Sequence, residues 1–193
     1  MKYPVLFCDI DGTLDHSQKG ERTSQLAAED QFIHQEALLL LQRIRQRGGI
    51  VILTTGRRFA NYGRFSSLIP HDTCLMEHGS VIIQKSNVHD GWMEQLRQQI
   101  GNSLTGEKVG SLWDYERQLE NEGYTTSAEG RIGSFRIAGR GGKPLTFDEK
   151  KELLQRETLE VVATSNRDFI DFIPRRGGKS HAAAYMLAEL GRP

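Results

Sequence analysis

The chain has 193 residues, 37% hydrophobic and 26% charged, which suits one globular domain or a core with a smaller insert and excludes a disordered chain. Its 25 basic and 25 acidic residues cancel, so no global field draws nucleic acid or an anionic membrane, and affinity for phosphate has to come from a local site. No apolar stretch approaches the roughly 20 residues of a membrane span, and Asp9 breaks the N-terminal apolar run too early for a signal peptide. Cys8 and Cys74 lie far apart, outside any CxxC pattern, and both fall in expected buried strands, which argues against zinc and points to a soluble, cytoplasmic protein.

Val5-Leu6-Phe7-Cys8 runs straight into Asp9-Ile10-Asp11-Gly12-Thr13. A continuous apolar run closed by a turn signal predicts a strand buried on both faces, with Asp9 at its carboxyl end, where open α/β sheets place ligands. Alternation sends Asp9 and Asp11 to one side. Two adjacent carboxylates repel, and a hard cation such as Mg²⁺ resolves the conflict. Residues 15–30 are polar and irregular, a loop or flap over the strand end. A helix is expected over 30–47, with an apolar stripe of Ile33, Ala37, Leu40, Leu41 and Ile44 and a stop at Gly48-Gly49. Ile50-Val51-Ile52-Leu53 is a second buried strand; strand, helix, strand makes a βαβ unit with the two strands parallel.

Thr54-Thr55-Gly56-Arg57-Arg58 follows. The Thr55 hydroxyl and free amides at Gly56, ahead of a helix over 59–68, make either an anion site or an ordinary helix cap. Arg57 serves the phosphate or, like Arg58, is a surface charge. A strand over 73–76, a turn at Glu77-His78-Gly79-Ser80 and a strand over 81–83 come next. Helices are then expected over 92–100, 112–122 and 147–157, and strands over 132–138, 159–164 and 169–173. This tail reads as a small α+β unit. Arg131, Arg136, Arg140 and Lys143 cluster about its central strand, to clamp a second anionic or polyhydroxyl part of a ligand or to solvate a sheet face. Trp113 and Tyr115 read as core. Arg175-Arg176-Gly177-Gly178-Lys179-Ser180 opens a last helix; a P-loop would need glycine five positions before Gly178, where Ile173 stands.

The string Asp9-Ile10-Asp11-Gly12-Thr13 resembles the first motif, DxDGT, of the haloacid dehalogenase (HAD) superfamily of phosphohydrolases. Thr55 stands where that superfamily closes its second core strand with Ser or Thr, and Lys179 where its third motif has lysine. Thr55-Gly56-Arg57 is similar to the Cof-type and sucrose-phosphate-phosphatase-like branch, with His78 replacing the usual asparagine of an Asn-Gly turn; no role is assigned to His78. The resemblance implies an α/β fold, with a Rossmann-like parallel-sheet core over 1–83 and 174–193 and an inserted C2-type cap over 84–173. It implies a Mg²⁺-dependent phosphatase of a small phosphorylated metabolite, a sugar phosphate. Asp9 would be the nucleophile and Asp11 the acid and base, both on the metal. Lys179 would neutralise charge and Thr55 would hydrogen-bond the phosphoryl group. Beside these, the residues themselves offer Gly56 and Arg57 to the phosphate and Arg136 and Arg140 to the rest of the substrate. The superfamily's fourth motif, a GDxxxD or GDxxND string, has no counterpart here. The expectation is a sequence cut short at its C-terminus, with an apolar strand at the sheet edge and an incomplete metal site. A sugar phosphomutase is the second expectation and a catalytically incomplete sugar-phosphate-binding or regulatory protein the third.

Overall fold

The computed structural model describes residues 4–11, 13–14, 35–156, 158–166 and 169–192. The expected loop over 15–30 and the first residues of the helix expected over 30–47 lie outside them. Strand β1 (Val5–Asp9) pairs in parallel with β2 (Ile50–Thr54) across helix α1 (Gln35–Gln46), as the βαβ pattern requires. β2 pairs in parallel with β3 (Thr73–Met76), and β3 antiparallel with β4 (Val81–Gln84), which carries the short β5 (Asn87–Val88). The sheet order is β1-β2-β3-β4-β5.

Val51, Ile52, Leu53, Cys74, Leu75, Met76, Val81 and Ile82 are wholly buried, the pattern of central strands covered on both faces. Each such aliphatic side chain contributes about 1.5–3 kcal/mol of burial. β1 departs from expectation, because all five of its residues are only half-buried. It is the edge strand among the described residues, so one flank has no ladder partner, and Cys8 is half-buried with it.

The second sheet has the order β6-β7-β10-β9: β6 (Tyr124–Ser127), β7 (Phe135–Arg140), β9 (Val161–Asn166) and β10 (Phe169–Pro174), with β8 (Lys143–Pro144) paired to β7. Helices α3 (Asp90–Ile100), α4 (Ser111–Asn121) and α5 (Phe147–Gln155) accompany it. Alternation gives this sheet two unlike faces. Phe135 stacks on Phe172, with centroids 5.1 Å apart, and Tyr115 of α4 packs edge-on against Phe172, so that face is the apolar one. Trp113, as expected, is buried and donates its indole N–H to Ile100 O at 3.0 Å. The intervening residues Arg136 and Asp171, paired across β7 and β10, face the other way.

Two elements are shorter or shifted. The helix expected over 59–68 is a 3-10 turn at Phe59–Asn61 followed by the four-residue α2 (Tyr62–Phe65). The strand expected over 132–138 begins only at Phe135. Glu77 takes the backbone N–H groups of Ile132 and Gly133, so these never enter the ladder, and it also accepts the N–H of Phe59, a first-turn donor with no partner inside its own helix. Helix α6 (Lys179–Glu189) follows β10 through a turn at Arg175–Gly177 and packs on the Glu77–Gly79 turn. There Gly79 (φ 103°) lies so close that a Cβ would sit 2.7 Å from Gly178 C and Lys179 N. No helix among the described residues is long and apolar enough to cross a membrane.

Candidate active site

Asp9 ends β1 directly opposite Thr54, the end of β2, so the parallel register alone sets two oxygen-bearing side chains side by side. The Thr54 hydroxyl donates to Asp9 Oδ1 at 3.1 Å. Lys179, first residue of α6, donates to the same oxygen at 2.6 Å. Asp11 stands beyond the strand end, where Thr55 Oγ1 donates to Oδ2 at 3.1 Å and Arg57 grips Oδ1 through Nε at 3.1 Å and Nη2 at 2.8 Å. Each carboxylate thus has one hydroxyl and one cation, which relieves the repulsion between them. Arg57 lines a cleft, paired with Asp11.

The loop Thr55-Gly56-Arg57 is fixed from within. Thr55 is wholly buried, and its hydroxyl oxygen accepts the Arg57 N–H at 3.0 Å. Its backbone N–H bonds to Leu75 O, and its carbonyl accepts the N–H of His78. Gly56 has to be glycine: a Cβ there would lie 2.4 Å from Cε1 of the His78 ring.

These residues line one side of a cleft of about 580 Å³, and the other is lined by Arg136 and Phe169 from the polar face of the second sheet, with Ser165 of β9 and Arg131 from the loop before β7. That volume falls within the roughly 300–1,000 Å³ usual for small-molecule sites. Asp171 lies beneath this wall, wholly buried. Arg136 holds it bidentately, Nε to Oδ1 at 2.7 Å and Nη2 to Oδ2 at 2.9 Å, while stacking on Phe169 at 4.6 Å. Arg131 approaches Oδ1 at 3.6 Å, and His78 Nε2 meets Oδ2 at 2.9 Å. Burial would raise the Asp171 carboxyl, but the hydrogen bonds from Arg136 and His78 and the charge of Arg131 hold it far below the usual carboxylate range.

Of the site residues expected from sequence, Asp9, Asp11, Gly56, Arg57, Arg136 and Lys179 come together in the cleft, with Thr55 buried behind Asp11. Arg140 does not. It lies four residues along β7 from Arg136, about 13 Å at the rise of a strand, where it covers the Tyr124 ring at 4.7 Å and bonds Glu122 O. His78 and Asp171 are additions. The signals available were a histidine in place of an asparagine and an aspartate inside the apolar run Phe169-Ile170-Asp171-Phe172-Ile173. A buried acid needs a partner.

The oxygen donors at the β1 end suit a hard divalent cation. Asp9 would contribute a carboxylate and Asp11 its backbone carbonyl, and among the described residues no cluster of three or more His, Cys, Asp or Glu side chains offers a closed cage. Mg²⁺ is accustomed to such a set, one or two carboxylates completed by waters and substrate phosphate.

A model of the sucrose-6F-phosphate phosphohydrolase family matches residues 3–193. The chain belongs to that family. Sucrose-6F-phosphate phosphohydrolases are phosphoric monoester hydrolases of the HAD superfamily, so the DxDGT string and its partners stand in the setting the sequence implied. The sucrose-phosphatase of Synechocystis sp. PCC6803, solved in complex with sucrose and phosphate, superposes with a TM-score of 0.64 at 18% identity, over 100% of this chain and 72% of that one. A Thermoplasma acidophilum protein superposes at 0.65 with 12% identity, over 100% and 74%. A HAD subclass IIB sugar phosphatase does so at 0.60 with 13% identity, over 98% and 77%. At these identities the likenesses describe the fold, a HAD α/β core with a cap. A comparison with curated proteins finds no match.

Proposed function

We propose that this chain is a Mg²⁺-dependent phosphatase of a small sugar phosphate, acting through an aspartyl-phosphate on Asp9, with sucrose 6F-phosphate as the first candidate substrate. The observation that carries the reading is the arrangement at the β1 end: Asp9 bound to Lys179 at 2.6 Å, beside Asp11 bound to Thr55 and Arg57, at the wall of a cleft. On this reading the core is formed by 1–83 and 174–193, and 84–173 is the cap that bears Arg136.

A carboxylate oxygen of Asp9 attacks phosphorus, and the bond from phosphorus to the sugar oxygen breaks. Asp11 gives that oxygen its proton. It then takes one from the water that cleaves the aspartyl-phosphate, which regenerates Asp9 and releases phosphate. Lys179 holds Asp9 in place and offsets charge on the phosphoryl oxygens. Arg57 is paired with Asp11 before substrate arrives; an incoming phosphate dianion competes for its guanidinium and frees Asp11 to carry the proton. Thr55, locked by its own loop, keeps Asp11 oriented. Asp9, through its carboxylate, and Asp11, through its backbone carbonyl, would hold the cation, which would supply further positive charge to the phosphoryl oxygens.

Phosphate release from sucrose 6F-phosphate and a panel of hexose phosphates, with and without Mg²⁺, tests this. Asp9→Asn is expected to abolish turnover. Metal-dependent hydrolysis near the parent rate in that variant would refute the nucleophile assignment.

A further inference from the structure

His78 is one of the polar side chains of the cleft that the mechanism leaves unused. It stands in the left-handed region (φ 60°, ψ 20°), directly after Glu77 at φ 50°, and non-glycine residues held there in succession mark a turn fixed by its surroundings. Its ring lies over Gly56, in the loop that carries Thr55 and Arg57. Its side chain is 14% exposed and lines the cleft.

Asp171 sets the ring's chemistry. An ionised carboxylate only accepts, so the hydrogen in the 2.9 Å contact belongs to His78 Nε2. Arg136 and Arg131 share that carboxylate. With Nε2 committed to Asp171, Nδ1 is the ring's other polar atom, and in the Nε2–H tautomer it is a lone-pair acceptor. It has no partner among the described residues, and it is not one of the sealed unpartnered atoms, which are Gln99 Oε1, Ser111 Oγ and Tyr124 Oη. The ring lines the cleft. The phosphoryl group of a monoester dianion has no hydrogen to give Nδ1; a sugar hydroxyl does.

We propose that His78 is a specificity-determining residue: Nδ1 accepts a hydrogen bond from a hydroxyl of the sugar beside the phosphoryl group, and Asp171 is the positioning residue that fixes the ring. The inference rests on the phosphatase reading for where the phosphoryl group lies. It assigns this chain a preference for polyhydroxylated phosphate esters over esters without a hydroxyl near the phosphate.

Two measurements test it. In the first, the Asp9→Asn variant labelled with ¹⁵N-histidine is titrated with sucrose 6F-phosphate and, separately, with p-nitrophenyl phosphate, whose dianion has no O–H; His78→Asn in the same background assigns the signal. The expected result is a shift of the His78 Nδ1 resonance with the sugar phosphate and none with p-nitrophenyl phosphate. An unchanged resonance at saturating sugar phosphate, or equal shifts with both ligands, overturns the proposal. Because turnover is not needed, a residual activity of Asp9→Asn would sink the nucleophile assignment without touching this result. In the second, His78→Asn is compared with the parent on sucrose 6F-phosphate and on p-nitrophenyl phosphate; asparagine tolerates the left-handed backbone. KM for the sugar phosphate is expected to rise about 3- to 10-fold, the range of one uncharged hydrogen bond, and the loss in kcat/KM to exceed that on p-nitrophenyl phosphate at least about threefold. Equal losses on both substrates, or none on either, overturn it.

Discussion

Replacing Glu77 by glutamine keeps the side chain's shape and removes its charge from a fully buried place. Oε1 accepts the N–H of Phe59 at 2.8 Å and of Ile132 at 3.2 Å. Oε2 accepts the N–H of Gly133 at 2.9 Å and the Ser134 hydroxyl at 2.8 Å. Every one of these is a donor, and a glutamine must turn its NH₂ toward one set of them. If the amide nitrogen replaces Oε1, Phe59 loses its acceptor; if it replaces Oε2, Gly133 loses its own, and only Ser134 can rotate to accept instead. Either way one buried N–H is left unmade, at about 1–3 kcal/mol, and the surviving bonds lose charge assistance. Burial pushes the Glu77 carboxyl up, against the pull of the Phe59 and Gly133 N–H groups, Ser134 and Arg131, so the neutral side chain recovers part of the loss. The net expectation is about 2–4 kcal/mol, roughly 4–16 °C in Tm for a chain of this size. Calorimetry reads the shift. Hydrogen exchange should show it concentrated at the amides of Ile132 and Gly133. A Tm within about 2 °C of the parent, with those amides still protected, would show that Glu77 does not hold the 130–134 loop.

Lys179→Ala should lower kcat by about 10²–10³, as loss of one charge-stabilising donor does, while leaving Tm within a few degrees, because this ion pair is about two-fifths exposed; a kcat within threefold of the parent would remove Lys179 from the mechanism. Asp171→Asn should cost about 3–5 kcal/mol near neutral pH, since it strands Arg136 and Arg131. Its carboxyl is depressed in the fold, so the stabilisation is present above the ordinary aspartate value near about 4 and fades as pH falls toward the depressed one. Urea unfolding from pH 7 to pH 3 should therefore show the gap between parent and variant narrowing only below about pH 4, and a gap constant to pH 3 would contradict this. The Cys74 thiol, pushed up to about 12 by burial, should resist alkylation at pH 8 until the chain unfolds; stoichiometric labelling of the native protein at Cys74 would refute that.

The parallel strands were legible because a strand buried on both faces is a continuous apolar word, and β2 and β3 are such words. The acid pair, Thr55 and Lys179 were legible through the resemblance and through their places at strand and helix ends. Less could be read where a residue's partner is backbone. Glu77 looks like a turn residue in sequence, yet its acceptors close the loop at 132–134 and displace the start of β7. β6 escaped notice because Tyr124-Thr125-Thr126-Ser127 carries only one large apolar side chain. Arg136 and Arg140 read as one cluster, but position along β7 separates them, one gripping Asp171 and the other covering Tyr124. The His78–Asp171 contact spans 93 positions, and no local pattern encodes it.

The turn at Glu77–Gly79 has a consequence for modularity. Its two side chains reach the second sheet by opposite routes, Glu77 accepting from 132–134 and His78 donating to Asp171, while Gly79 lies against the start of α6. On the proposed division, grafting residues 84–173 from a relative would thus import new partners for a tripeptide left behind in the host, and a chimera of this chain is expected to keep these contacts only if Glu77, His78 and Gly79 move with the graft.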